Sequence, residues 1–306
     1  MANVLAADKQ RMVLNLLVEG SSLRAVERLT GVQKKTATRL LVRFGQACRQ
    51  FLDEEMRGLT LRHIQCDEIQ TYVAKRQKNL TIEEKEHCPQ IGEFYLWTAI
   101  DMDTKLVPTF VIGKRSGDMA RRLMMDLAKR LNMPRPQDWL SATYEKVVQV
   151  STDGFIAYPE AVDMAFGPYV KFGTIIKTYR NADRAPGNYS PAEIIEVKRK
   201  ARFGMDESEM DTICTSHVER HNLTLRTFLK RFNRLTICFS KKLDNLAAAV
   251  ALYMAYYNFC WRPRYQDWSG KAGRLRPTPA MMAGVTARLW SFEDLFAEVR
   301  ARHLEW

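Results

Sequence analysis

Leu61-Arg62-His63-Ile64-Gln65-Cys66-Asp67-Glu68-Ile69-Gln70-Thr71-Tyr72-Val73 is the stretch that decides the fold. It is strand-like, with β-branched and other apolar residues interleaved with polar ones and two adjacent carboxylates at its centre. Working outward, Phe94–Asp101 and Val107–Gly113 read as two more strands joined by the turn Met102-Asp103-Thr104-Lys105, so that three neighbouring strands form an antiparallel meander. Met119–Leu131 has the spacing of a basic amphipathic helix, and a fourth strand follows within Lys146-Val147-Val148-Gln149-Val150-Ser151-Thr152-Asp153-Gly154. A strand-rich start followed by alternating helix and strand predicts an α/β core, a mixed sheet with flanking helices.

Three acids stand where these elements would bring carboxylates together. Asp67 lies inside the first strand. Asp153 ends the fourth, at the carboxyl end where open α/β sheets tend to bind ligands. Glu219 opens the basic helix Ser216-His217-Val218-Glu219-Arg220-His221-Asn222-Leu223-Thr224-Leu225-Arg226. A lone acid in a strand is ordinarily a solvated edge or turn residue, so it is the combination that carries weight. Two divalent metals roughly 4 Å apart can activate a nucleophilic oxygen and stabilise the leaving oxygen of a displacement at phosphorus. Magnesium prefers hard oxygen ligands and keeps several waters, so a few carboxylates suffice. Cys214, His217 and His221 form the one zinc-like arrangement, with an i, i+4 histidine pair but no evident fourth ligand.

On these residues the sequence resembles the DDE class of transposases and, within it, the insertion-sequence-one (IS1-type) family. The resemblance rests on Cys66-Asp67-Glu68, on Ser151-Thr152-Asp153-Gly154-Phe155-Ile156-Ala157-Tyr158, and on His217-Val218-Glu219-Arg220-His221-Asn222 running into Leu225-Arg226. It continues through Arg234-Leu235-Thr236 and Phe239-Ser240-Lys241, and covers roughly residues 60–260. It implies an RNase H-like fold with Asp67, Asp153 and Glu219 as the catalytic and metal-binding triad, served by two divalent metal ions, magnesium with manganese as the alternative. Glu68 is the rival for the first position. Alternation puts Asp67 on a face with His63, Gln65 and Ile69, and Glu68 with Ile64, Cys66 and Gln70; the family motif selects Asp67. The 65 residues between Asp153 and Glu219 depart from the family pattern. The excess, a basic insertion near 179–211, includes Asn181–Pro191 and an expected helix from Ala192 to Phe203 carrying Lys198-Arg199-Lys200. It reads either as a surface insertion or as a clamp on DNA.

With 306 residues, of which 46% are hydrophobic and 27% charged, the chain can bury a sizeable core and hold one large domain plus a small one. The net charge of +12 points to a polyanionic partner. No run has the length of a membrane span and the start lacks the pattern of a signal peptide. A cytoplasmic, nucleoid-associated bacterial protein without a membrane partner is expected. Six cysteines without paired spacing read as reduced thiols.

Residues 9–49 carry nine Lys/Arg against two Asp/Glu. Their apolar spacing fits three short helices, with Gly20-Ser21-Ser22 breaking the first from the second and Thr30-Gly31-Val32 turning into the third. This is a helix-turn-helix pattern, and Gln33, Lys34, Lys35, Thr36 and Arg39 at the start of its recognition helix are the candidates for DNA contact. A plain three-helix cap on the core is the alternative. The expected division is residues 1–58 for a small all-α helix-turn-helix module and linker, the latter near Phe51–Gly58, then 59–260 for the catalytic domain and 261–306 for a C-terminal tail. Glu219 to Lys242 holds seven Lys/Arg against one acid, with Val218, Leu225, Leu229 and Phe232 as a buried stripe. Asn222, Arg226, Lys230 and Arg231 are the core's candidates for DNA contact. Leu243–Tyr257 reads as an apolar helix of the core or of a subunit interface.

The expected function is that of an insertion-sequence transposase, acting as a homo-oligomer on double-stranded DNA, both element ends and target, by metal-dependent cutting and joining of strands. An RNase H-like nuclease that stops after cleavage, and a catalytically inactive DNA-binding regulator derived from a transposase, are the alternatives.

Overall fold

The computed structural model describes residues 4–134, 148–180, 193–233, 236–263 and 276–304. Three helices precede the sheet: α1 (Ala7–Val18), α2 (Leu23–Thr30) and α3 (Lys34–Glu55). The Ser22 hydroxyl accepts from Ala25 N to cap α2, and Gly31, at φ 72°, ends it in the left-handed conformation that the absence of a Cβ permits. The third helix is not short. Leu40, Leu41, Phe44, Ala47, Cys48, Phe51 and Leu52 continue one buried helical stripe, so the stretch expected to be a linker from Phe51 is helical through Glu55. Helix α3 therefore starts at the surface and ends in the core.

The sheet begins with β1 (His63–Val73), the stretch from which the fold was read. After the short α4 (Ile82–His87), β2 (Gly92–Asp101) pairs antiparallel with β1, and β3 (Thr109–Gly113) pairs antiparallel with β2. The third strand starts two residues later than expected, after Pro108, which has no N–H to give to the ladder. Helix α5 (Gly117–Arg130) leads towards β4 (Val148–Asp153), which lies parallel to β1; Lys146 and Val147 of the expected strand fall outside the described residues. Helix α6 (Tyr158–Phe166) connects β4 to β5 (Val170–Arg180), again parallel.

The chain then departs from expectation. Residues 193–203, read as a helix, form β6 (Glu193–Phe203), antiparallel to β5 from Phe172 to Arg180. The partner strand satisfies the backbone here, and Ile194, Ile195 and Val197 suit an extended chain better than a helix. Much of the expected insertion is thus an edge hairpin; Asn181–Pro191 lies outside the described residues. The strand order is β3-β2-β1-β4-β5-β6, a mixed six-stranded sheet with flanking helices, consistent with an RNase H-like core.

Helices α5 and α6 pack on one face of the sheet. The opposite face takes α7 (Ser216–Phe228). This helix stops at Phe228, so the basic segment from Arg220 to Lys242 is not one helix; a 3-10 turn follows at Lys230–Phe232. Its expected stripe is nonetheless buried at Val218, Leu225, Leu229 and Phe232. Helix α8 (Leu243–Phe259) is buried along nearly its whole length and runs against α3, while α9 (Pro279–Met282) and α10 (Phe292–His303) close over them. Phe44 stacks on Phe296, and Phe51 meets both Phe259 and Trp290. The N-terminal and C-terminal segments thereby share one apolar cluster with the sheet.

Candidate active site

The parallel pairing of β1 with β4 runs from His63 opposite Gln149 to Gln65 opposite Ser151. Asp67 and Asp153 each stand two residues beyond that last pair, so continuing the register sets them opposite one another where the pairing has ended. An open cleft of about 690 Å³ lies there. One carboxylate oxygen from each of Asp67, Glu68 and Asp153 lies within 4.8 Å of the others, the one such acid group among the described residues.

Alternation along β1 sends Asp67 and Glu68 to opposite sides of the sheet, and both still reach the cleft at its edge. Asp67 faces α7, and its Oδ2 accepts from Asn222 Nδ2 at 2.8 Å. Gln65, on the same face, accepts the free His217 and Val218 amides at the start of α7, at 2.9 and 3.1 Å, which ties helix to strand. Glu68 lies opposite Trp97 in the ladder, on the α6 side, with the Tyr158 hydroxyl beside it. Arg115 reaches both Glu68 at 3.5 Å and Asp153 at 3.4 Å, and its guanidinium lies over the Phe155 ring. Asp153 Oδ1 accepts from Phe155 N at 2.9 Å, which orients the carboxylate at the turn into α6.

Burial pushes the Asp67 carboxyl up to about 7, and the neighbouring charges of Asp153 and Glu219 add to this, against the Glu68 amide and Lys177. Burial likewise raises Glu68 to about 7, with Asp153 and Asp67 contributing and the Tyr158 hydroxyl and Arg115 opposing. Desolvated carboxylates facing one another resist ionising together unless positive charge is supplied. Glu68 Oε1 is buried with no hydrogen-bond partner. Hard oxygen donors, surplus negative charge and an unpartnered buried oxygen fit a divalent cation of the magnesium type.

Glu219 lies on the far wall of the cleft, outside this three-acid group. Its carboxylate pairs with Lys177 of β5 and accepts from Thr215 Oγ1 at 2.7 Å. Asn222 and Arg226 follow it along the same face of α7 and line the cleft, and Arg226 Nε is buried without a partner. Arg231 points elsewhere: Nη1 donates to Ser240 Oγ at 2.8 Å and Asn245 O at 3.0 Å, and burial lowers the guanidinium to about 10. Lys230 is exposed. Gln33, Lys34, Lys35, Thr36 and Arg39 are exposed around the first turns of α3, away from the residues that line the cleft, and Lys34 pairs with Glu27 at 3.6 Å. The zinc-like trio does not assemble: Cys214 Sγ contacts Ser216, His217 contacts Lys105, and His221 is buried against Tyr253 and Tyr257.

Sequence reasoning weighed Glu68 only as a substitute for Asp67, and the structure brings both to the cleft. It missed Lys177, Arg115 and Thr215. The signal for Lys177 was present in the run Val170-Lys171-Phe172-Gly173-Thr174-Ile175-Ile176, which reads as a strand and would carry the next residue beside Asp153.

Residues 198–259 match the family model for the IS1 transposase. That stretch carries Glu219, Asn222 and Arg226 with all of α7 and α8, and the match is consistent with an IS1-type DDE transposase; Asp67 and Asp153 lie outside it. A comparison with curated proteins found no match.

Proposed function

We propose that this protein is a DNA transposase that cuts element ends and joins them to target DNA by divalent-metal-dependent phosphoryl transfer. The observation that carries the reading is the convergence of Asp67, Glu68 and Asp153 within 4.8 Å, in a cleft whose other wall is the Glu219 helix of the matched segment. Asp67 and Asp153 hold the metal from adjacent strands, Glu68 supplies a further carboxylate from the other sheet face, and Glu219 completes the set from α7. The chemistry that a pair of divalent cations supplies there is activation of the attacking oxygen and stabilisation of the leaving oxygen. Asn222 orients the Asp67 carboxylate. Arg226 and Lys230 contact phosphates, which positions the strand without reading its sequence, while Arg231 serves as an internal brace. The first turn of α3, in a helix-turn-helix role, reads the element end.

A regulator that had lost catalysis would gain nothing from desolvated, mutually repelling carboxylates, and the chain's net charge of +12 suits a polyanionic substrate. The test uses duplexes carrying the DNA from either side of the coding region, searched for terminal inverted repeats, with magnesium or manganese. Strand cleavage followed by joining to a second duplex is expected. Asp153→Asn, which keeps the shape and the Phe155 amide contact, should lose both steps and keep DNA binding. Wild-type-like cleavage by that variant would remove the site assignment, and cleavage without joining by the native protein would reduce the reading to a nuclease. Asp67→Asn should be as damaging as Asp153→Asn, with Glu68→Gln intermediate because Asp67 keeps the first position.

A further inference from the structure

Helix α7 has a second functional face. At roughly 100° per residue, Glu219, Asn222 and Arg226 point one way, and His217, Arg220, His221 and Thr224 point nearly the opposite way. The second group lines a separate open pocket of about 620 Å³ together with Lys105, Tyr257, Trp261, Arg262 and Arg276. An α-helix is about 10 Å across with its side chains, so the pocket lies just behind the acid cleft.

Three features distinguish this pocket from a solvated basic surface. His221 is 2% exposed, yet neither ring nitrogen has a hydrogen-bond partner, so a buried polar group is left for something else to satisfy. The lining joins cations to aromatic rings, with Trp261 braced edge-on by Phe228 at 5.1 Å and Tyr257 against His221 at 4.5 Å. Lys105, at φ 64°, closes the turn between Asp101 and Leu106, and its ammonium is held at the pocket wall by Met102 O and by His217 Nδ1 at 3.0 Å. The nearby acids are already engaged: Asp101 with His63 N and Thr104, and Asp103 with the His63 ring.

From this geometry we infer that the pocket behind α7 receives one unstacked nucleotide of the DNA substrate, its base against Trp261 and Tyr257 and its phosphate among Arg220, Arg262 and Arg276. Resting on the reading of DNA as substrate, this adds a place where an unpaired base is held while its strand passes the acid cleft. A base offers both a ring face for stacking and polar edges for His221 and Thr224. A free phosphate would use the cations and leave the rings and His221 idle.

The full-length protein, in the presence of a chelator, is titrated with a short fluorescent oligothymidylate and with an abasic strand carrying the same number of phosphates. Binding of the thymidylate at least about fivefold tighter is expected, as for one base stacked on an aromatic side chain. Trp261→Leu should erase that difference, while Arg220→Glu and Arg262→Glu should weaken both strands. Because Trp261 also packs on Phe228, the exposed Arg220 keeps the test valid if the tryptophan variant fails to fold. Equal affinity of the native protein for both strands, or native binding by Arg220→Glu and Arg262→Glu together, would overturn the proposal. In the native protein, base discrimination without cleavage would remove the catalytic reading and leave the pocket, and cleavage without discrimination would do the reverse.

Discussion

Asn222 Nδ2 donates to Asp67 Oδ2 at 2.8 Å, joining the helix that carries Glu219 to the strand that carries the first acid. Glu219 and Asn222 are three positions apart, so both fall on one face of α7, and a rotation of the helix would disturb both walls of the cleft together. Burial raises that carboxyl to about 7, and a hydrogen bond donated to a carboxylate oxygen favours its ionised form.

Replacing the amide therefore affects metal binding before anything else. Asn222→Leu keeps the volume and removes the donor, and is expected to raise the metal concentration for half-maximal cleavage by roughly 10–100-fold, the usual effect of losing a partner that orients a ligand. DNA affinity in chelator should change little. An unaltered metal requirement in that variant would mean that Asn222 contacts the substrate alone.

The raised Asp67 and Glu68 carboxyls also link metal, pH and stability. Both groups bind protons more tightly folded than unfolded, so their contribution to stability without metal is fully present below about pH 4 and is lost as pH rises through about 7. Metal binding requires the ionised forms and competes with those protons. The increase in melting temperature on adding manganese should accordingly be larger at pH 8 than at pH 6, and Asp67→Asn should flatten the difference. The same manganese shift at both pH values would show that these two carboxyls are not the ligands.

Most of the sheet was legible because its strands are written in alternation. The run from His63 to Val73 and the aromatic run ending at Asp101 admit few other readings, and the β-branched run before Asp153 needed only a parallel partner. The β5–β6 hairpin was not legible. Ile194, Ile195 and Val197 are each about half exposed, so this edge strand lacks the inside-outside contrast that marks a strand in sequence, and Lys198-Arg199-Lys200 suggests a solvated helix equally well. The site was partly legible for a related reason. A sequence names its acids, but which of two neighbours reaches a cleft depends on where two strands separate, and that is fixed by the pairing of Gln65 with Ser151 far along the chain.

Helix α3 packs on α8 through a close approach that can be tested by itself. A Cβ on Gly45 would lie 2.4 Å from the carbonyl oxygen of Ala248 and 2.6 Å from its Cα, so α3 and α8 meet backbone to side with no room for a methyl group. Gly45→Ala gains helix propensity but must push the two helices apart, and a net loss of roughly 1–3 kcal/mol is expected, in the range for an overpacked core. Urea unfolding would measure it. A stabilised variant would show that the two helices have slack.

The same packing decides how the proposed end-reading role of α3 must be tested. Deleting the first fifty residues would strip Phe44 and Cys48, both fully buried, from the core and would confound reading with folding. The first turns offer a cleaner experiment, because Lys35 and Arg39 are exposed there and lie on the side of α3 away from the buried Ala37 and Leu40. Lys35→Glu with Arg39→Glu should leave the melting temperature nearly unchanged and abolish the preference for element-end DNA over a scrambled duplex. Weak, salt-sensitive binding through Arg226 and Lys230 should remain, since phosphate contacts carry affinity without sequence information. Competition between the two duplexes at two salt concentrations separates these contributions. Undiminished preference in the double variant would move sequence reading to the β5–β6 hairpin or to the C-terminal segment, and leave α1 to α3 as a helical cap on the catalytic core.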